Sequence, residues 1–217
     1  LTYRHSDGSF SAFGEGDETG SLWLTAFVLK SFAQAKDVMY IDETILDEAE
    51  NWIISYQKND GSFEPVGNIC HREILGGLQG KDALTAFVAI ALMEAGESSA
   101  AGKAVDYLEE QLDEIDDAYT VAITSYAMEM AGSELAADAY GKLMALAEED
   151  ENGLHWGGGV APLEDANDDF GWRGMPQNRS AVVETTAYAT LALIEHGDAF
   201  NTSRAAKWLV SQRNAYG

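Results

Sequence analysis

Apolar residues recur every three or four positions along most of the chain, and short polar segments interrupt this pattern. Such spacing is typical of amphipathic helices. Alternation of apolar and polar residues never persists beyond a few positions, so the sequence predicts an all-α fold. The pattern predicts eight helices in four pairs, at 20–37 and 42–57, 82–95 and 98–112, 117–131 and 133–148, and 182–196 and 202–212.

The two helices of a predicted pair differ in composition. The first is largely apolar and rich in small residues and threonine, as in the Leu-Thr-Ala-Phe sequences at 24–27 and 84–87. The second carries a wide acidic face, and Asp42 and Ser98 are suitable helix caps. The first helices are therefore predicted to form an inner wall and the second helices an outer wall of α/α hairpins.

One short motif occurs twice. The segments 3–10 and 56–63 share Tyr, Asp-Gly and Ser-Phe at the same spacing, and 212–217 resembles the start of a third copy. Self-similarity at such intervals indicates an architecture built from one repeated unit. The segment 153–180 is rich in glycine and aspartate and is predicted to be a long surface loop, most simply a variable connector.

Size and charge narrow the classes of function. A chain of 217 residues with 46% apolar residues supports one domain, 1–217, with a substantial core. Thirteen basic against 37 acidic residues give a net charge of −24, which argues against nucleic-acid binding. No apolar run approaches the ~18 residues of a membrane-spanning helix, so no membrane insertion is expected.

His71 is the residue best suited to chemistry. It lies in a predicted loop shortly before Gly76 and Gly77, and imidazole titrates near neutral pH without a special environment. Glu73 has two possible roles, orienting His71 or lying solvated at the surface. The alternative for His71 is a structural role, in which its ring hydrogen-bonds a loop carbonyl. The single cysteine, Cys70, excludes an internal disulfide and is more consistent with a buried thiol than with a nucleophile.

Other candidate sites have less support. The paired acids Asp116-Asp117 and Asp168-Asp169 have no accompanying glycosidase or cyclase pattern. His5, His155 and His196 lie in unrelated contexts, so neither a metal site nor a cofactor is expected. Asn178 and Asn201 begin glycosylation sequons.

Several of these motifs, in the same order and spacing, resemble the thioester domain of the alpha-2-macroglobulin and complement family. They are the run 23–35, the Trp52 to Phe63 turn, Gly76-Gly77, the sequence 84–87 and the run 208–217. The resemblance covers essentially the whole chain. It implies an α/α toroid of six hairpins, of which this chain would hold about four.

The resemblance also implies a chemistry. In this family an upstream Cys-Gly-Glu-Gln segment forms an internal thioester that reacts once with a target, so no turnover enzyme is expected. That segment is absent here and is expected N-terminal to Leu1, which makes the chain an excised piece of a longer protein. His71 falls where opsonic members carry the histidine that takes the acyl group and passes it to a hydroxyl. Glu73 matches the His-x-Glu of the third complement component.

The expected function is therefore that of a thioester-domain fragment from a secreted or cell-surface protein of innate immunity, attaching covalently to target hydroxyls. A protease-trapping macroglobulin with amine preference and a non-covalent receptor-binding module are the alternatives. The expected partners are target hydroxyls or amines, proteases, a receptor and the remaining domains of the parent protein. A terpenoid cyclase or prenyltransferase would need an acidic cation-initiating motif or zinc ligands, and the sequence shows neither.

Overall fold

The computed structural model describes residues 2–67, 80–157 and 177–213, with the backbone alone for 177–180. This part of the chain contains eight α-helices, one short 3₁₀ helix at Gly14–Gly16, and two three-residue strands. In chain order the elements are α1 Leu22–Ala35, α2 Glu43–Ser55, α3 Lys81–Ala95, α4 Ser98–Gln111, α5 Ala118–Ala131, α6 Ala136–Ala145, β1 Glu148–Asp150, β2 Gly153–His155, α7 Gln177–His196 and α8 Ala199–Ser211. The predicted all-α fold of helical hairpins is confirmed.

Side-chain caps explain where most helices begin. Ser21, Asp42, Asp117 and Asp198 each accept a backbone N–H from the first turn of α1, α2, α5 and α8. The prediction that Ser98 caps α4 is wrong, because Glu97 accepts the N–H groups of Ser99 and Ala100 instead.

Three other helix boundaries differ from the sequence prediction. Helix α6 begins at Ala136 rather than 133, because the Ser133 hydroxyl accepts the Leu135 N–H in a turn. Helices α7 and α8 begin earlier than predicted, at Gln177 and Ala199. The short antiparallel pair β1 and β2, with Glu149 opposite Leu154, was not predicted. Three residues are too few to show a period-2 pattern in the sequence.

The hairpins form two layers. Helices α1, α3, α5 and α7 pack side by side in that order, and α2, α4, α6 and α8 each pack on the inner helix that precedes them. All residues from Ala83 to Leu92 of α3 and from Tyr119 to Met128 of α5 are buried. The inner helices therefore form the predicted inner wall, with α3 and α5 enclosed by helices on both sides.

Equivalent positions of the inner helices can be aligned on Thr25, Thr85, Val121 and Thr186. Hydrogen bonds join side chains at equal positions in this alignment, such as Gln34 Nε2 to Glu94 Oε1 at 2.9 Å and the Tyr119 hydroxyl to Glu184 Oε1 at 3.0 Å. The helices of the inner row therefore lie in register with one another.

Helix α1 has one side that no other described helix covers. Leu24, Val28 and Phe32 line an apolar cavity of about 350 Å³ together with Tyr3 and Phe10. The equivalent residues of α3 are Leu84, Val88 and Leu92, and all three are buried. Among the described helices, none is long and apolar enough to cross a membrane.

Candidate functional site

Two turns of nearly identical geometry precede the inner helices α1 and α3. In the first, Asp7 Oδ1 accepts the Ser9 N–H at 3.0 Å and the Ser9 hydroxyl at 2.6 Å. In the second, Asp60 Oδ1 accepts the same two groups of Ser62 at the same distances. The repeated Asp-Gly-Ser-Phe motif therefore encodes one closed turn that is used twice.

A third turn of this kind precedes α7, and sequence reasoning missed it. Asp150 Oδ1 accepts the N–H groups of Asn152 at 2.7 Å and Gly153 at 3.1 Å, in the connection between β1 and β2. Its Asp-Gly spacing is wider than in the first two turns, and Trp156 stands where they have phenylalanine. The signal that would have found it is Thr186, which repeats the Thr-Ala-aromatic sequence of α1 and α3.

Each turn is fixed to its inner helix by one threonine. The backbone N–H groups of Phe10, Phe63 and Trp156 donate to the hydroxyls of Thr25, Thr85 and Thr186 at 2.9, 3.0 and 3.1 Å. Helix α5 is capped directly by Asp117, has no such turn before it, and carries Val121 at the equivalent position. The threonine therefore accompanies the turn and is not a general feature of the inner helices.

Replacing Thr85 by valine is expected to lower the free energy of unfolding by about 1–3 kcal/mol, because the buried Phe63 N–H would lose its acceptor while the side-chain volume stays the same. Denaturant unfolding followed by circular dichroism measures the change. Thr190→Val is the matched control, because that hydroxyl donates only to the Thr186 carbonyl of its own helix. Equal losses in the two variants would contradict the role of Thr85.

The second carboxylate oxygen of each aspartate is also bound. Trp52 and Trp208, on the outer helices α2 and α8, donate their indole N–H to Asp7 Oδ2 at 2.9 Å and Asp150 Oδ2 at 3.2 Å. In the middle turn, Asp60 Oδ2 instead accepts from Lys81 Nζ at 3.0 Å. Hydrogen bonds from Ser62 and Lys81 lower the pKa of Asp60 to about 2, so this carboxylate is ionised at neutral pH and has a structural role.

The described residues on either side of positions 68–79 lie at the N-terminal ends of two inner helices, α1 before the gap and α3 after it. Just before the gap, the Val66 carbonyl accepts the Leu22 N–H at 3.0 Å, and Gly67 has a φ of +75°. A Cβ on Gly67 would lie 2.2 Å from the Gly20 carbonyl oxygen, so only glycine fits this approach. After the gap, the Gly80 carbonyl accepts the Leu84 N–H in the first turn of α3.

Three ionisable residues of the inner helices, Lys30, Tyr119 and Glu184, are buried or half-buried. Burial raises the pKa of Glu184, and the hydrogen bond from the Tyr119 hydroxyl acts in the opposite direction. Burial and the nearby Glu184 raise the pKa of Tyr119, so its phenol stays protonated and acts as a donor. Burial also lowers the pKa of Lys30, which lies near Glu94. The hydrogen bond between Tyr119 and Glu184 satisfies two polar groups of neighbouring inner helices.

The predicted catalytic residues His71 and Glu73 lie outside the described residues, as do Cys70 and the pair Asp168-Asp169. Of the other acidic pair, Asp117 caps α5 by accepting the Thr120 N–H at 2.9 Å. In the described ranges, no group of three His, Cys, Asp or Glu side chains is arranged to hold a metal ion.

The two predicted glycosylation sites lie on the last two helices. Asn178 is in the first turn of α7, and its side chain is not among those described. Asn201 lies in the first turn of α8, where its amide donates to Asp198 Oδ2 at 2.6 Å and accepts from Arg204 Nη1 at 2.7 Å. The amide nitrogen that a glycan would modify therefore takes part in the cap of α8.

Comparison with known proteins agrees with this architecture. The whole chain, residues 1–217, matches a family model described as the A-macroglobulin TED domain. It is also similar to ovostatin of Gallus gallus, with 33% identity over 234 aligned residues. The alignment covers all of this chain and 15% of ovostatin, so the chain spans a small part of the length of that relative. The chain belongs to the thioester-domain (TED) family of the alpha-2-macroglobulins.

Proposed function

We propose that this chain is part of a thioester domain that attaches its parent protein covalently to target hydroxyls, with His71 as the acyl-transfer residue. The parent protein is secreted or held at the cell surface, and it acts in innate immunity. Family membership supports the domain assignment, and the loop histidine of the sequence supports the chemistry. The reaction occurs once in each molecule, so the parent is not a turnover enzyme.

The anchored flanks of the segment that contains His71 support this role. His71 follows Gly67 by four positions in the sequence. Gly67 is itself held against the Gly20 backbone at the N-terminal end of α1. The described residues that lead into the segment with His71 are therefore fixed at this end of the inner row.

The proposed reaction proceeds in two steps. An imidazole nitrogen of His71 attacks the thioester carbonyl, the carbon–sulfur bond breaks, and the cysteine leaves as a thiolate. A target hydroxyl then attacks the acyl-imidazole, the thiolate accepts the hydroxyl proton, and imidazole is released as an ester forms. Glu73 is proposed to orient the ring. The upstream Cys-Gly-Glu-Gln segment of the parent supplies the thioester.

The test uses the intact parent protein, with methylamine and glycerol competing for the activated thioester. For His71→Ala we expect the share of glycerol incorporated to fall by about 100-fold, the lower end of what a positioned histidine contributes. Methylamine incorporation should persist, because an amine attacks the thioester directly. His196→Ala, a change at the C-terminal end of α7, is the control and should leave the partition unchanged.

An unchanged glycerol share in His71→Ala would overturn the assignment. Amine preference in the wild-type protein, combined with capture of an attacking protease, would establish the second candidate, a protease-trapping macroglobulin. The family match includes that class as well, because the alpha-2-macroglobulins give the family its name.

A further inference from the structure

The connection between α1 and α2 differs from the equivalent connections in the other hairpins. Helices α3 and α4 are joined by two residues, α5 and α6 by four, and α7 and α8 by two. The α1–α2 connection, residues 36–42, has seven. The other hairpins show that two residues are enough to reverse the chain, so the additional residues here are not needed to link the helices.

These additional residues include the two most exposed large apolar side chains of the described part of the chain, Tyr40 and Val38. Tyr40 is 86% exposed, Val38 is 85% exposed and Met39 is 60% exposed. Backbone N–H groups of Val38 and Met39 both donate to the Ala35 carbonyl, so the loop is held in a defined conformation at the end of α1. Three consecutive apolar side chains on an ordered loop form a small interaction surface.

Charge and size define the partner of this surface. Asp37 and Asp42 are exposed beside the three apolar side chains, Glu43 is exposed and forms an ion pair with Lys36 of the same loop at 3.5 Å, and the whole chain has a net charge of −24. A second copy of the chain and an anionic lipid surface would both be repelled, whereas a surface with lysine or arginine around an apolar patch would be attracted.

The area is too small for a separate protein. Three such side chains cover roughly 400 Å², about half of the ~800 Å² that each partner contributes to a stable complex. A partner on the same polypeptide needs less area, because tethering gives it a high effective concentration. The chain spans 15% of the length of ovostatin, and a protein of this family has other domains to supply that partner.

We propose that the loop 36–42 docks, through Val38, Met39 and Tyr40, onto a basic and apolar surface of another domain of the same polypeptide. This contact is independent of the acyl-transfer chemistry proposed above.

The experiment places a photoreactive benzoylphenylalanine at Tyr40 of the intact parent protein. Irradiation should give one dominant cross-link within the molecule, to a peptide of another domain that contains lysine or arginine beside apolar residues. The same probe at Glu110, on the exposed face of α4, is the control and should give no dominant product. Val38→Ser and Asp37→Lys should each reduce the Tyr40 yield several-fold without changing the melting temperature, because both side chains are exposed.

Each other outcome would overturn the proposal. Cross-links between two molecules would identify a second copy as the partner, and cross-links to added anionic vesicles would identify a membrane. Absence of a Tyr40 product would show that the loop faces solvent. An unchanged yield in Asp37→Lys would exclude the basic partner. Hydroxyl-radical footprinting of the wild-type parent protein gives a second readout. Met39 and Tyr40 should be oxidised less than their exposed fractions of 60% and 86% in this chain would predict.

Discussion

Replacing Trp156 by alanine is expected to lower the free energy of unfolding by about 3–5 kcal/mol, the usual cost of removing a fully buried tryptophan. The side chain has no exposed surface, and its indole N–H donates to the Leu143 carbonyl of α6 at 2.7 Å. Its backbone N–H donates to Thr186 of α7. The residue thus joins two hairpins, and its removal leaves a large cavity and takes from the Leu143 carbonyl one of its donors, with the Leu146 N–H still donating to it at 3.1 Å.

Thermal unfolding followed by circular dichroism measures this loss, which corresponds to a decrease of about 10 °C in melting temperature for a domain of this size. Phe200→Ala, at an aromatic position of α8 that is 72% exposed, should change stability by less than about 0.5 kcal/mol. Trp156→Phe keeps most of the packing and loses the indole hydrogen bond, so its loss in free energy of unfolding should lie between those of Trp156→Ala and Phe200→Ala. If Trp156→Ala proves as stable as Phe200→Ala, the turn at Trp156 does not hold the hairpins together.

Replacing Gly61 by alanine is the second change for which we expect a large effect, with a loss of about 3 kcal/mol or more in the free energy of unfolding. Its φ of +88° costs a residue with a Cβ about 1–2 kcal/mol. The new Cβ would also lie 2.0 Å from the Lys103 carbonyl oxygen of α4, which forces the turn away from that helix. The same turn is held on α4 by Gln57, whose amide donates to the Ala100 carbonyl at 2.8 Å.

Gly96→Ala provides the matched comparison, because Gly96 has a φ of +92° and no atom within 4 Å of the added Cβ. Only the backbone cost applies there, so its loss should be about 1 kcal/mol. Urea unfolding of the two variants separates close approach from backbone conformation. Similar losses in both would show that the turn yields to the added methyl group at little cost.

The helix pairs could be predicted from the sequence because each helix spans about three turns or more and because glycine and polar residues separate the helices. The inner and outer walls were predictable from composition, since inner helices such as α3 are apolar on all sides and outer helices such as α2 have one apolar face. The Asp-Gly turns at Asp7 and Asp60 were found because both copies keep the same spacing. The copy at Asp150 was missed because its spacing differs.

The contacts that fix the turns could not be predicted. Thr25, Thr85 and Thr186 are suited to close helix packing, and nothing local shows that each hydroxyl accepts an N–H from a residue 15, 22 or 30 positions away. Glu97 was missed as a cap because glutamate is not among the preferred residues there. For the candidate site, the sequence supplied His71 and Glu73 from a loop position and a family resemblance, and their roles stay predictions.

The open side of α1 has a consequence for how this chain loses its structure. Among the described helices, α3 and α5 have an inner neighbour on either side, whereas α1 and α7 at the two ends of the row have one each. In arrays of repeated units, stability is close to a sum of terms between neighbours, so a unit with one neighbour is held by fewer of them. Local opening of this chain should therefore start at its end hairpins, and the amide protons of α3 and α5 should be the last to exchange with solvent.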